Sequence, residues 1–314
     1  MIEGLAKTVI EPLAARWRTT ALGTSLTLWL AAVLLYLSAY PESGRCTSSR
    51  GLVCRIAESG PAGPALLLLA GVGAVVSTAF LASGVAPGLY TALTSNDWRV
   101  RSRPVRELGE RAVQRHIRRR DRLSTAAAAE PGLRGDALDE RLARRYPLAD
   151  DWMKPTVCGN ILASSSDRLH EHMGLDLTVV WQPLVAALPE TSRTSLAAAG
   201  HVVLQRCQQI LIALLGLGLT PLFPWRYAVL WALGCALAFL AFRHGLVRET
   251  EAFAEQVHAV VVTHRAVLYR AFGLPLPTRP DTEKASGEAL TRTLRSFLEG
   301  RPPSSLNYDW PPVV

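Results

Sequence analysis

The sequence predicts an all-α polytopic membrane protein with four transmembrane helices and a helical cytoplasmic domain. Two uncharged runs of spanning length lie near the N-terminus, a second apolar pair is joined by a two-proline turn, and arginines crowd the segment just after the second run. The 314 residues are 49% hydrophobic and only 19% charged, with mean hydropathy +0.17. A soluble chain of this length would make about two domains. This composition instead fits a chain that is part lipid-embedded and part aqueous.

Thr20 to Tyr40 carries no charge and matches the roughly 20 residues needed to cross a hydrocarbon core. Ala65 to Ala86 does the same. Tyr227 to Phe242 is shorter, but Arg226 and Arg243 at its ends reach the interfaces along their aliphatic stems. Leu204 to Phe223 holds Arg206, Gln208 and Gln209 in its first turns; by itself it also fits a buried amphipathic helix. Its partnership with Tyr227–Phe242 favours the membrane, because Pro221 to Arg226 is a short turn suited to an antiparallel hairpin. Lys7, Arg16 and Arg18 before the first run also fit a signal peptide. That run is long for one, and no small-residue cleavage site follows it.

Net charge is +8 and the pI about 9.6, which fits nucleic acid, an anionic membrane surface or topology-setting arginines. Position decides among them. Arg99, Arg101, Arg103, Arg106, Arg111, Arg115, Arg118, Arg119, Arg120 and Arg122 are opposed only by Glu107, Glu110 and Asp121. Arginine so close to a span marks the cytoplasmic side. The same arginines are candidates for anionic lipid, at about 1 kcal/mol per charge near the surface, or else serve topology alone. A nucleic-acid partner is not expected, since the cluster adjoins a span and lacks an aromatic stacking platform.

The resulting organisation is a cytoplasmic N-terminus over 1–19, a first hairpin over 20–93 with an outer loop over 41–63, a cytoplasmic helical insert over 94–203, a second hairpin over 204–242 and a cytoplasmic helical tail over 243–314. Cys46 and Cys54 share the outer loop, where an oxidising exterior favours a disulfide contributing roughly 2 to 3 kcal/mol; two free thiols are the alternative. Cys158, Cys207 and Cys235 read as structural.

Within the insert, Val105, Leu108, Ala112, Val113 and Ile117 form a narrow apolar stripe on a basic helix after Pro104, and Ala126 to Gly135 reads as a linker. No proline interrupts Tyr227 to Phe272, so one helix of about 70 Å is expected there. Leu246, Thr250, Phe253, Val257, Val260, His264, Val267 and Ala271 recur as a heptad seam, open to self-association or to packing against the insert. Leu290, Leu294, Phe297 and Leu298 define a last amphipathic helix ended by Gly300.

The search for chemistry finds little. Glu255 and His258 have the Glu-x-x-His spacing of carboxylate-bridged metal bundles, but such sites draw ligands from several helices. His170 and His172 sit on different helix faces, so no metal or other cofactor is expected. Serines 164 to 166 lack a nucleophile elbow, and no phosphate-binding Gly-rich loop is present. Gly71, Gly73, Gly84 and Gly88 read as points of close helix packing. The spans contain no acidic residue, which disfavours ion-coupled transport. Thr20, Thr24 and Thr27 share one face of the first helix, as possible pore-lining hydroxyls or as groups bonding their own helix's carbonyls.

Pro155-Thr-Val-Cys-Gly-Asn-Ile-Leu162, Gly174-Leu-Asp176 and Trp181-Gln-Pro-Leu184, with Glu11 to Trp17 before the first span, resemble a group of uncharacterised multi-pass membrane proteins from actinobacteria. The sharpest part covers about 30 residues. Met173, where an aromatic residue is expected, and the displaced Pro183 depart from the pattern. The resemblance implies four spans and a bacterial plasma membrane, and supplies no activity. In this block Asp176 is expected to cap a helix, Pro155 to Asn160 to form a turn, and Trp181, Leu184, Val185 and Leu188 to lie at the membrane interface. The expected function is a noncatalytic scaffold or sensor, self-associating or holding a cytoplasmic protein partner, with membrane lipids around it. The alternative is an oligomeric channel with a cytoplasmic helical vestibule, and an enzyme acting on lipid is third.

Overall fold

A computed structural model describes residues 14–39, 62–100, 102–130, 132–277 and 279–300. Among these the regular structure is entirely helical: α1 (Ala14–Ala39), α2 (Ala62–Thr94), α3 (Arg103–Ala129), α4 (Leu133–Arg145), α5 (Val157–Met173), α6 (Leu177–Ala187), α7 (Glu190–Gly218), α8 (Trp225–Ala271) and α9 (Pro280–Leu298), with short 3-10 turns between some of them. Four helices are long and apolar enough to cross a membrane: α1, α2, α7 with its extension to Leu222, and α8. At 1.5 Å per residue α8 is about 70 Å long, more than twice a hydrocarbon core of about 30 Å.

The chain divides into two compact units. Unit 1 comprises Met1–Glu11, Thr91–Gly200 and Val247–Val314, and unit 2 comprises Pro12–Tyr90 and His201–Leu246.

In unit 2, α1 is tied to α2 by the Ser25 hydroxyl donating to the Val75 carbonyl at 2.9 Å and by Trp29 Nε1 donating to Thr78 Oγ1 at 3.1 Å. Trp231 Nε1 donates to the Gly216 carbonyl at 2.6 Å and joins α8 to α7. A Cβ at Gly216 would stand 2.9 Å from both Cys235 Sγ and Leu28 Cδ1, so glycine sets how closely α7 approaches its neighbours. Ala32, Phe223, Trp231 and Cys235 form the buried cluster there. Outside it, Leu30, Leu34, Leu68, Leu69, Leu230 and Leu237 are between 54% and 67% exposed. The expected close packing at Gly71, Gly73, Gly84 and Gly88 is not made within the chain. A Cβ at any of them meets nothing within 4 Å, because these glycines lie on exposed turns of α2.

Unit 1 is built around α5, on which every residue from Cys158 to Asp167 is buried. Such a helix is surrounded rather than amphipathic, which explains its run of Ala, Ser and Gly: small residues let neighbours approach from several sides. The Ser164 hydroxyl donates to the Ala143 carbonyl of α4 at 2.5 Å, and Ser165 to the Ala254 carbonyl of α8 at 3.2 Å. The Asp167 carboxylate accepts from the Leu148 and Ala149 amides at 2.6 and 3.3 Å and so ties down the turn after α4.

Three expectations need correction here. Ala126 to Gly135 is not a linker: α3 continues to Ala129, since alanine is the best helix former, and α4 begins at Leu133 after a tight turn through Gly132 at φ +95°. Trp181, Leu184, Val185 and Leu188 do not offer an exposed face to a membrane interface: all four are buried in unit 1, with Trp181 on α6 only 1% exposed. The seam on α8 starts as expected with Thr250, Phe253 and Val257, then passes to Val261 and Leu268, while Val260, His264 and Val267 are only half-buried. A straight helix drifts about 20° per heptad from a seven-residue repeat, so the buried row moves on by a residue.

Candidate functional site

The motif block of unit 1 resolves into helix ends and close approaches. Thr156 is the N-cap of α5: its hydroxyl accepts from the Gly159 amide at 3.0 Å and donates to the Leu93 carbonyl. The expected turn over Pro155 to Asn160 is not found, because α5 begins at Val157; the fully buried Asn160 instead accepts from the Lys154 amide through Oδ1 at 2.6 Å and ties the segment before the helix to its first turn. Gly174, at φ +68°, ends α5. Asp176 caps α6 as expected, accepting from the Thr178 amide at 2.8 Å, and pairs with Arg295 of α9 at 2.8 Å. Each residue type thus has a local structural task.

Lys154 stands out within this block. Burial, and then the Arg99 guanidinium, push its ammonium down to about 8, with Asp97 opposing. Among the described residues it has no ion-pair partner. Its folded value is depressed below the unfolded value of about 10.4, so the unfolded state binds more protons between about pH 8 and 10 and stability rises with pH across that window. Lys154→Met is expected to raise stability at pH 7 by about 1 kcal/mol, a figure reduced for partial exposure, and to flatten that rise. Denaturant melts at pH 7 and pH 10 check both effects.

The arginines are arranged as a largely exposed basic surface on α3. Arg103 pairs with Glu107 at 3.0 Å, while Arg106–Glu110 and Arg111–Glu107 are looser at 3.9 Å. Arg115, Arg118, Arg119 and Arg122 are exposed. Arg120 differs: it is 16% exposed, pairs with Asp150 at 2.7 Å and donates to the Leu148 carbonyl at 3.1 Å. Arg99 lies over the Trp98 ring, 5.3 Å from its centroid. Arg101, Cys46, Cys54 and the Thr20 side chain lie outside the described residues.

Unit 2 holds a groove of about 750 Å³ between α1, α7 and α8, within the size range of small-molecule sites. Its walls are Leu28, Ala31 and Leu35 of α1, Ile212 and Ala213 of α7, and Leu230, Trp231, Cys235, Ala238 and Phe242 of α8. Thr24, Thr27, Gln205 and Gln209 are its polar lining side chains. Two of the expected pore-lining hydroxyls therefore share a cleft, and Thr27 donates to its own helix at the Gly23 carbonyl, 2.9 Å away. Gln209 accepts from Arg206 at 3.0 Å.

Gly23 and Gly234 also line the groove, and a Cβ at either meets nothing within 4 Å. Sequence reasoning singled out the threonines but missed Gln205, Gly234 and the α8 wall. No local signal marks these residues, because they come together only through the packing of α1, α7 and α8. Among the described residues, no group of three or more His, Cys, Asp or Glu side chains is arranged to hold a metal ion. Comparison with protein-family models, with curated proteins and with solved structures finds no match for this chain.

Proposed function

We propose that this chain is a noncatalytic integral protein of a bacterial plasma membrane, a scaffold or sensor with both termini in the cytoplasm and a cytoplasmic helical unit that mediates assembly. The observation that carries the reading is the contrast between the units. Unit 2 turns leucines outward and has no acidic side chain among its described residues, a surface matched to lipid. Unit 1 covers itself with ion pairs, such as Arg145–Glu251 at 2.6 Å and Lys284–Glu171 at 2.9 Å, and presents the basic α3, which follows α2 in the chain after a few residues. The open glycines of α2, with Gly84 and Gly88 four residues apart, support contact with a second copy.

Cross-linking in native membranes together with pull-downs is expected to capture a homo-oligomer or a cytoplasmic partner. A monomer with no partner in both experiments refutes the scaffold. Reporter fusions after Ala199 and after Arg226 are expected on opposite sides of the membrane, and the same side for both refutes the four-span topology. The shared face of Thr24 and Thr27 favours a second reading, an oligomeric channel. That reading requires unitary currents in planar bilayers that change on Thr24 substitution.

A further inference from the structure

We infer that the groove of unit 2 is a binding site for an anionic phospholipid, one acyl chain of which lies between α1 and α8 with its phosphate at the Thr24–Gln209 end. The inference rests on the membrane reading above, and it names a ligand for that protein.

The first reason is shape and polarity. From Thr24 to Leu35 the groove follows α1 for about 16 Å at 1.5 Å per residue, polar at the start and apolar beyond it. An amphiphile has the same division along its length. Leu30 and Leu34 on α1, with Leu230, Leu233 and Leu237 on α8, are exposed, so in a bilayer these walls adjoin acyl chains rather than water.

The second reason is charge and hydrogen bonding. No acidic residue occurs among the described residues of unit 2, whereas Arg206 bonds to Gln209 in the groove wall. A Cβ on Gly245 would stand 3.1 Å from Arg206 Nε, so the guanidinium stem crosses α8 one turn beyond Phe242, which also lines the groove. Gln209 spends its carbonyl oxygen on Arg206 and keeps its amide hydrogens. Among the described residues the Gln205 carboxamide has no hydrogen-bond partner. The carboxamide N–H groups of Gln205 and Gln209, with the Arg206 guanidinium bonded to Gln209, form a donor set for phosphate oxygens.

The third reason is the absence of side chains at Gly23 and Gly234. Both face unfilled space, and leucine is a better helix former than glycine, so folding alone does not require glycine there. The open space at both leaves room for a ligand along the groove.

The experiment uses the full chain, delipidated in detergent and titrated with phosphatidylglycerol or phosphatidylcholine of identical acyl chains, with adducts counted by native mass spectrometry. Wild type is expected to retain phosphatidylglycerol about fivefold better than phosphatidylcholine, one guanidinium's worth of preference. Gly234→Leu is expected to lower both lipids at least tenfold, and Arg206→Gln to lower only phosphatidylglycerol. Gly71→Leu, on an equally open turn of α2 outside the groove, is expected to bind as wild type. Unchanged adducts in Gly234→Leu overturn the site. Equal retention of the two lipids by wild type overturns the headgroup assignment, as does tighter binding of a free fatty acid. Circular dichroism melts confirm that each variant is folded. Retention of the chain in carbonate-washed membranes tests the membrane reading separately, so failure there and failure of the groove are distinguishable.

Discussion

Gly287→Val is expected to detach α9 from α5 and to cost about 4 kcal/mol or more, a range reached only when a substitution breaks core packing or strains the backbone. A Cβ at 287 would overlap the carbonyl oxygen of Met173, which is backbone and cannot swing aside. The facing glycine, Gly174, is just as constrained: it adopts φ +68° and its Cβ would overlap the Lys284 carbonyl oxygen. Two helices therefore touch backbone to backbone at this crossing.

Around the crossing the contacts are tightly interlocked. The Thr291 hydroxyl accepts from the Asp176 amide at 3.2 Å and donates to the Gly174 carbonyl at 3.1 Å. Lys284 pairs with Glu171 and holds that carboxyl below its ordinary range, and Leu290 and Leu294 are buried beneath. Hydrogen exchange across residues 280–298 should rise sharply in the valine variant while α5 to α6 remain protected. Ala285→Val, at an exposed position half a turn away, should change stability by no more than about 0.5 kcal/mol. Wild-type exchange in Gly287→Val would contradict the crossing geometry.

The second large effect is expected at Trp181. Truncation to alanine removes the largest fully buried side chain among the described residues, and such deletions cost about 3 to 5 kcal/mol. Trp181→Phe should cost far less, on the order of 1 kcal/mol. It keeps an aromatic ring and also removes an indole N–H that is buried with no partner among the described residues, an arrangement that itself costs free energy. Denaturant midpoints of the two variants give the comparison. Equal losses would mean that the indole N–H, rather than the ring's volume, matters at this position.

How legible these features were depended on the kind of signal each leaves. The long helix from Trp225 to Ala271 was readable because no proline interrupts it and its apolar residues recur regularly. The Asp176 cap was readable because capping is local: the carboxylate reaches an amide two residues on. Trp181 was misread because an amphipathic aromatic fits a membrane interface and a protein core equally well in sequence. Only the packing of α6 within unit 1 separates them. The linker at Ala126 to Gly135 was misread because a Pro-Gly pair in sequence was given the weight of a whole boundary, whereas α3 runs to Ala129 and α4 starts at Leu133.

From the sequence by itself come the all-helical class, the four apolar helices and the basic run of α3, because each is a property of hydropathy, charge or local propensity along a short stretch of chain. The tertiary structure alone decides the rest. It brings Gly174 against Gly287 across 113 residues, moves the seam of α8 onto Val261 and Leu268, spends Arg120 on a neighbouring turn, and assembles Thr24, Gln205, Gln209 and Gly234 around one groove. These are contacts between distant segments, and their energies depend on which surfaces meet. No local pattern encodes that.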